Sequence, residues 1–123
     1  VLEKILGFKR SALSLEMIVQ DRGSNLSGGE KQGIALARAV IFDPEILLLD
    51  EPSSAMDDEV EKNMIALLTG FDKKKTTVIV THKVALLMVC TRVIVMDGGK
   101  IIWDGPTDQY LDMLKSKRHA KKV

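Results

Sequence analysis

Ile46-Leu47-Leu48-Leu49-Asp50-Glu51-Pro52 is the stretch that decides the fold: four consecutive aliphatic residues, two carboxylates and a proline. An apolar run this short, without alternation, predicts a strand buried on both faces, as in a parallel sheet. Upstream, Ser27-Gly28-Gly29-Glu30 leads into Ile34, Leu36, Ala37, Ala39, Val40 and Ile41. Ser27 as N-cap and Glu30 three positions later make a capping box that opens a helix, which Asp43-Pro44 stops. Downstream, a second helix starts near Asp57-Asp58, runs through Val60, Met64, Ile65, Leu67 and Leu68, and ends before Gly70. Thr76-Thr77-Val78-Ile79-Val80 is a β-branched strand that delivers Thr81-His82 at its end. Farther out, residues 85–90 suggest a helix, residues 93–96 a third strand, and Asp97-Gly98-Gly99-Lys100 a tight turn into Ile101-Ile102-Trp103. The loosely spaced Leu2, Ile5, Leu6, Leu13, Leu15, Ile18 and Val19 predict one or two short helices. Strands alternating with helices give an α/β fold class.

Composition narrows the classes. The chain has 123 residues, 46% hydrophobic, with 18 Lys+Arg against 17 Asp+Glu. That excludes a fully disordered chain, and no apolar run approaches the ~20 residues of a bilayer span. One domain in a soluble, globular state is expected. A single cysteine, Cys90, allows no internal disulfide, and Lys4, Lys9 and Arg10 interrupt the apolar stretches near Val1, so a reducing, cytoplasmic setting without a signal peptide is expected. A first residue other than Met suggests a piece of something longer. Lys115, Lys117, Arg118, Lys121 and Lys122 crowd the last nine residues with no acid among them, leaving the remainder net acidic. This basic end is read as a solvated, frayed terminus rather than a lipid or nucleic-acid contact.

Three places carry chemistry. The helix opening at Ser27-Gly28-Gly29-Glu30 presents unpartnered N–H groups and a favourable dipole to an anion, glycines let a phosphate approach, and Ser27 adds a hydroxyl. Alone, it would also describe a merely well-capped helix. Asp50 and Glu51 stand at the mouth of the apolar strand, where ligands bind in open α/β sheets. Asp50 can hold Mg²⁺, and Glu51, expected to point the other way because strand side chains alternate, can orient and polarise a water. His82 ends the next strand as Asp50 ends its own, and can hydrogen-bond a terminal phosphate or that water.

Taken in order, Leu26-Ser27-Gly28-Gly29-Glu30, the run ending in Asp50-Glu51, Ser54-Ala55-Met56-Asp57 and His82 resemble the signature, Walker B, D-loop and H-loop of an ATP-binding-cassette (ABC) ATPase. The resemblance extends from about residue 19 to residue 114, including Asp97-Gly98-Gly99-Lys100-Ile101 and Asp104-Gly105-Pro106. It implies a P-loop NTPase-like ABC ATPase domain, C-terminal half, with part of the helical subdomain and strands and helices of the catalytic core. Residues 1–114 would be that partial domain and 115–123 the basic tail. A P-loop reads G-x-x-x-x-G-K-[ST], and Gly99-Lys100 is followed by Ile101, so Walker A is missing.

The resemblance further implies ATP and Mg²⁺ as cofactors, with Ser27, Gly28, Gly29, Glu30, Asp50 and Asp57 on the nucleotide side, Asp50 as metal ligand, and Glu51 and His82 as catalytic groups. It implies as partners a second nucleotide-binding domain, paired head to tail, and transmembrane domains, with no nucleic acid, at the cytoplasmic face of a membrane. Asp21-Arg22-Gly23 resembles the segment that exporters set against the coupling helices of their membrane domains. The loops at residues 51–57, 81–83 and 95–100 look closest to ATPases of type I secretion systems, which export proteins or peptides. Glu30 stands where exporters usually have Gln, and Gly33 replaces a frequent Arg at a cost of ~1 kcal/mol to the helix relative to Ala. Glu30 also keeps open an ABC-type ATPase of DNA repair or chromosome maintenance, against which stand the lack of a heptad arm and the presence of Pro52. A non-catalytic remnant is the third alternative.

Overall fold

Ser27 shapes the first element as expected. Its Oγ accepts from the Glu30 N–H at 3.2 Å while its own N–H donates to Glu30 Oε2 at 2.8 Å, and helix α1 follows over Gly28–Val40. The structure, a computed structural model, describes residues 4–5, 17–71 and 75–120, so the opening helices expected over residues 2–19 lie largely outside the described residues. Two compact units emerge, Val1–His82 and Lys83–Val123.

In the first unit, α1 is followed by strand β1 (Ile46–Asp50), helix α2 (Asp58–Thr69) and strand β2 (Thr76–Val80). The helix between them lets β1 and β2 pair in parallel, in the register Leu48↔Val78 and Asp50↔Val80. Thr76 N–H to Glu45 O and Glu51 N–H to Val80 O, both 2.8 Å, extend the ladder at its two ends. Ile5, Leu36, Leu47, Leu49, Met56, Met64 and Leu68 are buried.

The expected two-sided burial of β1 is corrected. Leu47 and Leu49 are buried, but Ile46 and Leu48 are 65% and 71% exposed. They share a face with Asp50, Val78 and Val80, since strand side chains alternate and the register is fixed. This sheet has two strands, and no described element covers that face. The run is apolar on both sides because it is built for two covers, of which one is present among the described residues.

The second unit opens with a short 3-10 helix at Val84–Val89, one residue ahead of the helix expected over residues 85–90 and of 3-10 rather than α type. β-branched valines at both ends and the lack of a side-chain cap keep it short. Strands β3 (Arg92–Asp97) and β4 (Lys100–Pro106) form an antiparallel hairpin. Gly98 and Gly99 join them at φ +52° and +75°, the left-handed pair that a two-residue primed turn requires. A register shift pairs Val95 with Trp103 but Met96 with Ile101, leaving Ile102 as a bulge. The Arg92 guanidinium grips the Asp104 carboxylate through two hydrogen bonds of 2.7 Å. Trp103 packs on Tyr110 of helix α3 (Thr107–Ala120) with ring centroids 4.9 Å apart. Thr107 anchors α3, its Oγ1 donating to Cys90 O at 2.7 Å. The frayed end expected from Lys115 onward is instead helical through Ala120, and Lys115 pairs with Asp112 at 3.0 Å. No helix among the described residues is long and apolar enough to cross a membrane.

Candidate functional site

Glu51 stands one residue past β1 at φ +43°, a left-handed conformation uncommon for a residue with a Cβ. Strand alternation therefore does not set its direction, contrary to expectation: the chain has already left the strand when it reaches Glu51. The carboxylate instead faces His82 just beyond β2, with Oε1 3.4 Å from Nε2. Parallel pairing brings this about, because Asp50 lies beside Val80 and the next residues on both strands emerge together. The Glu51 side chain is 34% exposed and that of His82 98%, so the pair is open to water. Asp50 ends the uncovered sheet face and is exposed.

At the start of α1 the N–H groups of Gly28 and Gly29 have no partner within the helix. The two glycines also have a packing reason. A Cβ on Gly28 would lie 3.0 Å from the Ala55 Cβ, and one on Gly29 3.0 Å from the Ala55 carbonyl oxygen. The signature end is thus pressed against the loop that follows Glu51. Glu30 spends a carboxylate oxygen on the capping box. Asp57 caps α2, its Oδ1 accepting from Glu59 N–H at 3.1 Å and Val60 N–H at 2.9 Å, a contact of the kind worth ~1 kcal/mol.

Sequence reasoning missed Gln32. Its carboxamide reaches residues 51, 54 and 55, and its place four residues before the buried Leu36 was the available signal. Ser53, also unforeseen, is buried and donates to Glu61 Oε1 at 2.6 Å. Cys90 is a half-buried free thiol whose Sγ donates to Leu86 O at 3.5 Å, and burial pushes its pKa up.

No cluster of three or more His, Cys, Asp or Glu that could hold a metal occurs among the described residues. A lone exposed carboxylate such as Asp50 suits Mg²⁺ arriving with phosphates, because that ion keeps most of its waters and takes one or two carboxylates plus phosphate oxygens.

A family model described as ABC transporter matches residues 4–54. The ATP-dependent lipid A-core flippase of Neisseria gonorrhoeae is 45% identical over 101 residues, 82% of this chain and 16% of its own length. The chain belongs to the ABC transporter family. Multidrug resistance protein 1 of Entamoeba histolytica is 42% identical over 96 residues, 78% of this chain and 7% of its own. A solved bacterial Atm1-family ABC exporter with ATP bound superposes with a TM-score of 0.73 at 28% identity, over 94% of this chain and 20% of that one. A dimeric bacterial ABC transporter cassette gives a TM-score of 0.64 at 29% identity, over 72% of this chain and 41% of that one. The fold is that of an ABC ATPase cassette, and the chain spans about a sixth of the flippase relatives it matches.

Proposed function

We propose that this ABC chain is the C-terminal half of an exporter's ATPase domain, in which ATP hydrolysis drives transport. The observation that carries the reading is the Glu51–His82 pair, 3.4 Å apart at the ends of two parallel strands. Glu51 acts as general base toward the attacking water, and His82 holds the terminal phosphate beside it. Asp50 holds the Mg²⁺ that comes with the nucleotide, whose charge neutralises phosphate oxygens. The Ser27 hydroxyl and the Gly28 and Gly29 N–H groups receive the phosphate carried by a second nucleotide-binding domain, paired head to tail. Asp57 belongs to the facing surface of that pair, in addition to capping α2.

The phosphate cradle must come from elsewhere in the whole protein, because no Gly-Lys-Ser or Gly-Lys-Thr occurs in this sequence. The whole protein would sit at the cytoplasmic face of a membrane, with the exposed Asp21 and Arg22 meeting its transmembrane domains. For the cargo, the names of the relatives favour a lipid or other amphipathic molecule. The protein or peptide export expected from the loops, and the DNA-handling alternative, find no support among them.

The test uses the full-length protein. Glu51→Gln should keep ATP binding and cut hydrolysis by the ~10²–10⁴ of a lost general base. Asp50→Asn should weaken Mg-ATP binding itself, and Ser27→Arg should leave binding intact while blocking closure of the pair. A Glu51→Gln protein that hydrolyses ATP at the wild-type rate would remove Glu51 from the role of base.

A further inference from the structure

We propose that Gln32 is a positioning residue for Glu51, a deepening of the proposed function that rests on Glu51 being the base. Gln32 sits on α1, half-buried, and its carboxamide is engaged on both ends. Oε1 accepts from the Ala55 N–H at 3.0 Å, while Nε2 donates to Ser54 Oγ at 2.7 Å and to the Glu51 carbonyl oxygen at 3.3 Å. Only a primary amide offers two donors and an acceptor in one plane; Glu lacks the donors, and Leu or Met lacks both.

What this amide grips explains its purpose. Glu51 has a left-handed backbone, and such a conformation persists only where surrounding contacts over-determine it. The Glu51 N–H is held by Val80 O at 2.8 Å, and its carbonyl receives the Ser54 N–H at 3.2 Å together with Gln32 Nε2. Relaxing the carbonyl would let residue 51 rotate toward ordinary φ and swing the carboxylate off His82. Gln32 thus aims the base through the Glu51 backbone, and it ties that aim to the helix whose first turn carries Ser27, Gly28 and Gly29.

The experiment uses the full-length protein with Gln32→Leu, Gln32→Glu and, as reference, Glu51→Gln. Steady-state Mg-ATP hydrolysis gives kcat and KM, and amide hydrogen exchange follows residues 51–56. Gln32→Leu should lower kcat by ~10–10², the scale of a small misplacement of a reacting group, with KM changed less than about twofold, and should speed exchange across the loop. Gln32→Glu keeps the acceptor for Ala55 but sets a carboxylate against the Glu51 carbonyl. It should keep Ala55 protected and still lose kcat. A slow Glu51→Gln beside a Gln32→Leu protein at wild-type kcat overturns this proposal alone. So does a Gln32→Leu loss that tracks the unfolded fraction and vanishes on cooling. Glu51→Gln at the wild-type rate overturns the base assignment and this proposal with it.

Discussion

Gly28 and Gly29 look interchangeable in sequence, yet the atoms they face differ in kind. A methyl at Gly28 meets another methyl, on Ala55; a methyl at Gly29 meets the Ala55 carbonyl oxygen, which is backbone and moves only with the loop. Each alanine substitution should cost roughly 1–3 kcal/mol as overpacking. Ala55→Gly should rescue Gly28→Ala by removing the opposing Cβ and should leave Gly29→Ala as damaged as before. Urea-unfolding midpoints of the single and double variants in the full-length protein check this, and equal rescue of both would show that the loop, not the contact, yields. At this scale the sequence was legible for Ser27 and Glu30, because a capping box acts on backbone three residues away; of Asp57 it told only that α2 starts close by, not that its carboxylate is the cap. For Gln32 it offered only the i, i+4 spacing to the buried Leu36, which sets the residue on the inward face of α1 but says nothing of its partners 19 to 23 positions off. Glu51 was placed at the right strand end for an incomplete reason: alternation along β1 could not foresee a left-handed backbone at the next residue.

The helices and strands were legible to within a residue or two wherever a cap, a proline or a glycine pair marked the end. What lies over each face was not, since an apolar run states that it wants cover without naming the cover. The β3–β4 hairpin also carries the clearest electrostatic consequence. Hydrogen bonds from Arg92 hold the Asp104 carboxyl below its ordinary value, and the hydrogen bond to Asp104 raises Arg92 above its own. A carboxyl depressed in the folded state contributes stability above its unfolded pKa and loses it as the pH falls through the folded one. Acid titration of the hairpin unit's stability should therefore show a decline on the low-pH side that Asp104→Asn removes. Because the pair is exposed, the effect should be small and should shrink further with added salt. A wild-type acid limb identical to that of Asp104→Asn would show that the two-bond grip is absent in solution.

At the scale of the whole molecule, the face of β1 and β2 that no described element covers sets the behaviour expected in isolation. Ile46, Leu48, Val78 and Val80 form a contiguous exposed apolar strip, and such strips drive self-association. Leu48 and Val78 are register partners, so Leu48→Glu with Val78→Lys places opposite charges side by side on that face. The isolated double variant should run as a monomer at concentrations where the parent chain associates. Its unfolding free energy should stay within about 0.5 kcal/mol, as expected for exposed positions. Light scattering and urea titration measure both, and unchanged association would move the sticky surface elsewhere.

Trp103 is the sole tryptophan in the sequence, pressed against Tyr110 and crowding Gly105 so closely that a Cβ there would sit 3.0 Å from its ring. The chain therefore carries its own optical probe, and that probe belongs to one unit alone. Indole emission follows residues 83–123 during melting, whereas far-ultraviolet dichroism averages over both units. Superposed curves would mean the two halves melt as one cooperative body; separated curves would give each half its own midpoint from a single unlabelled sample.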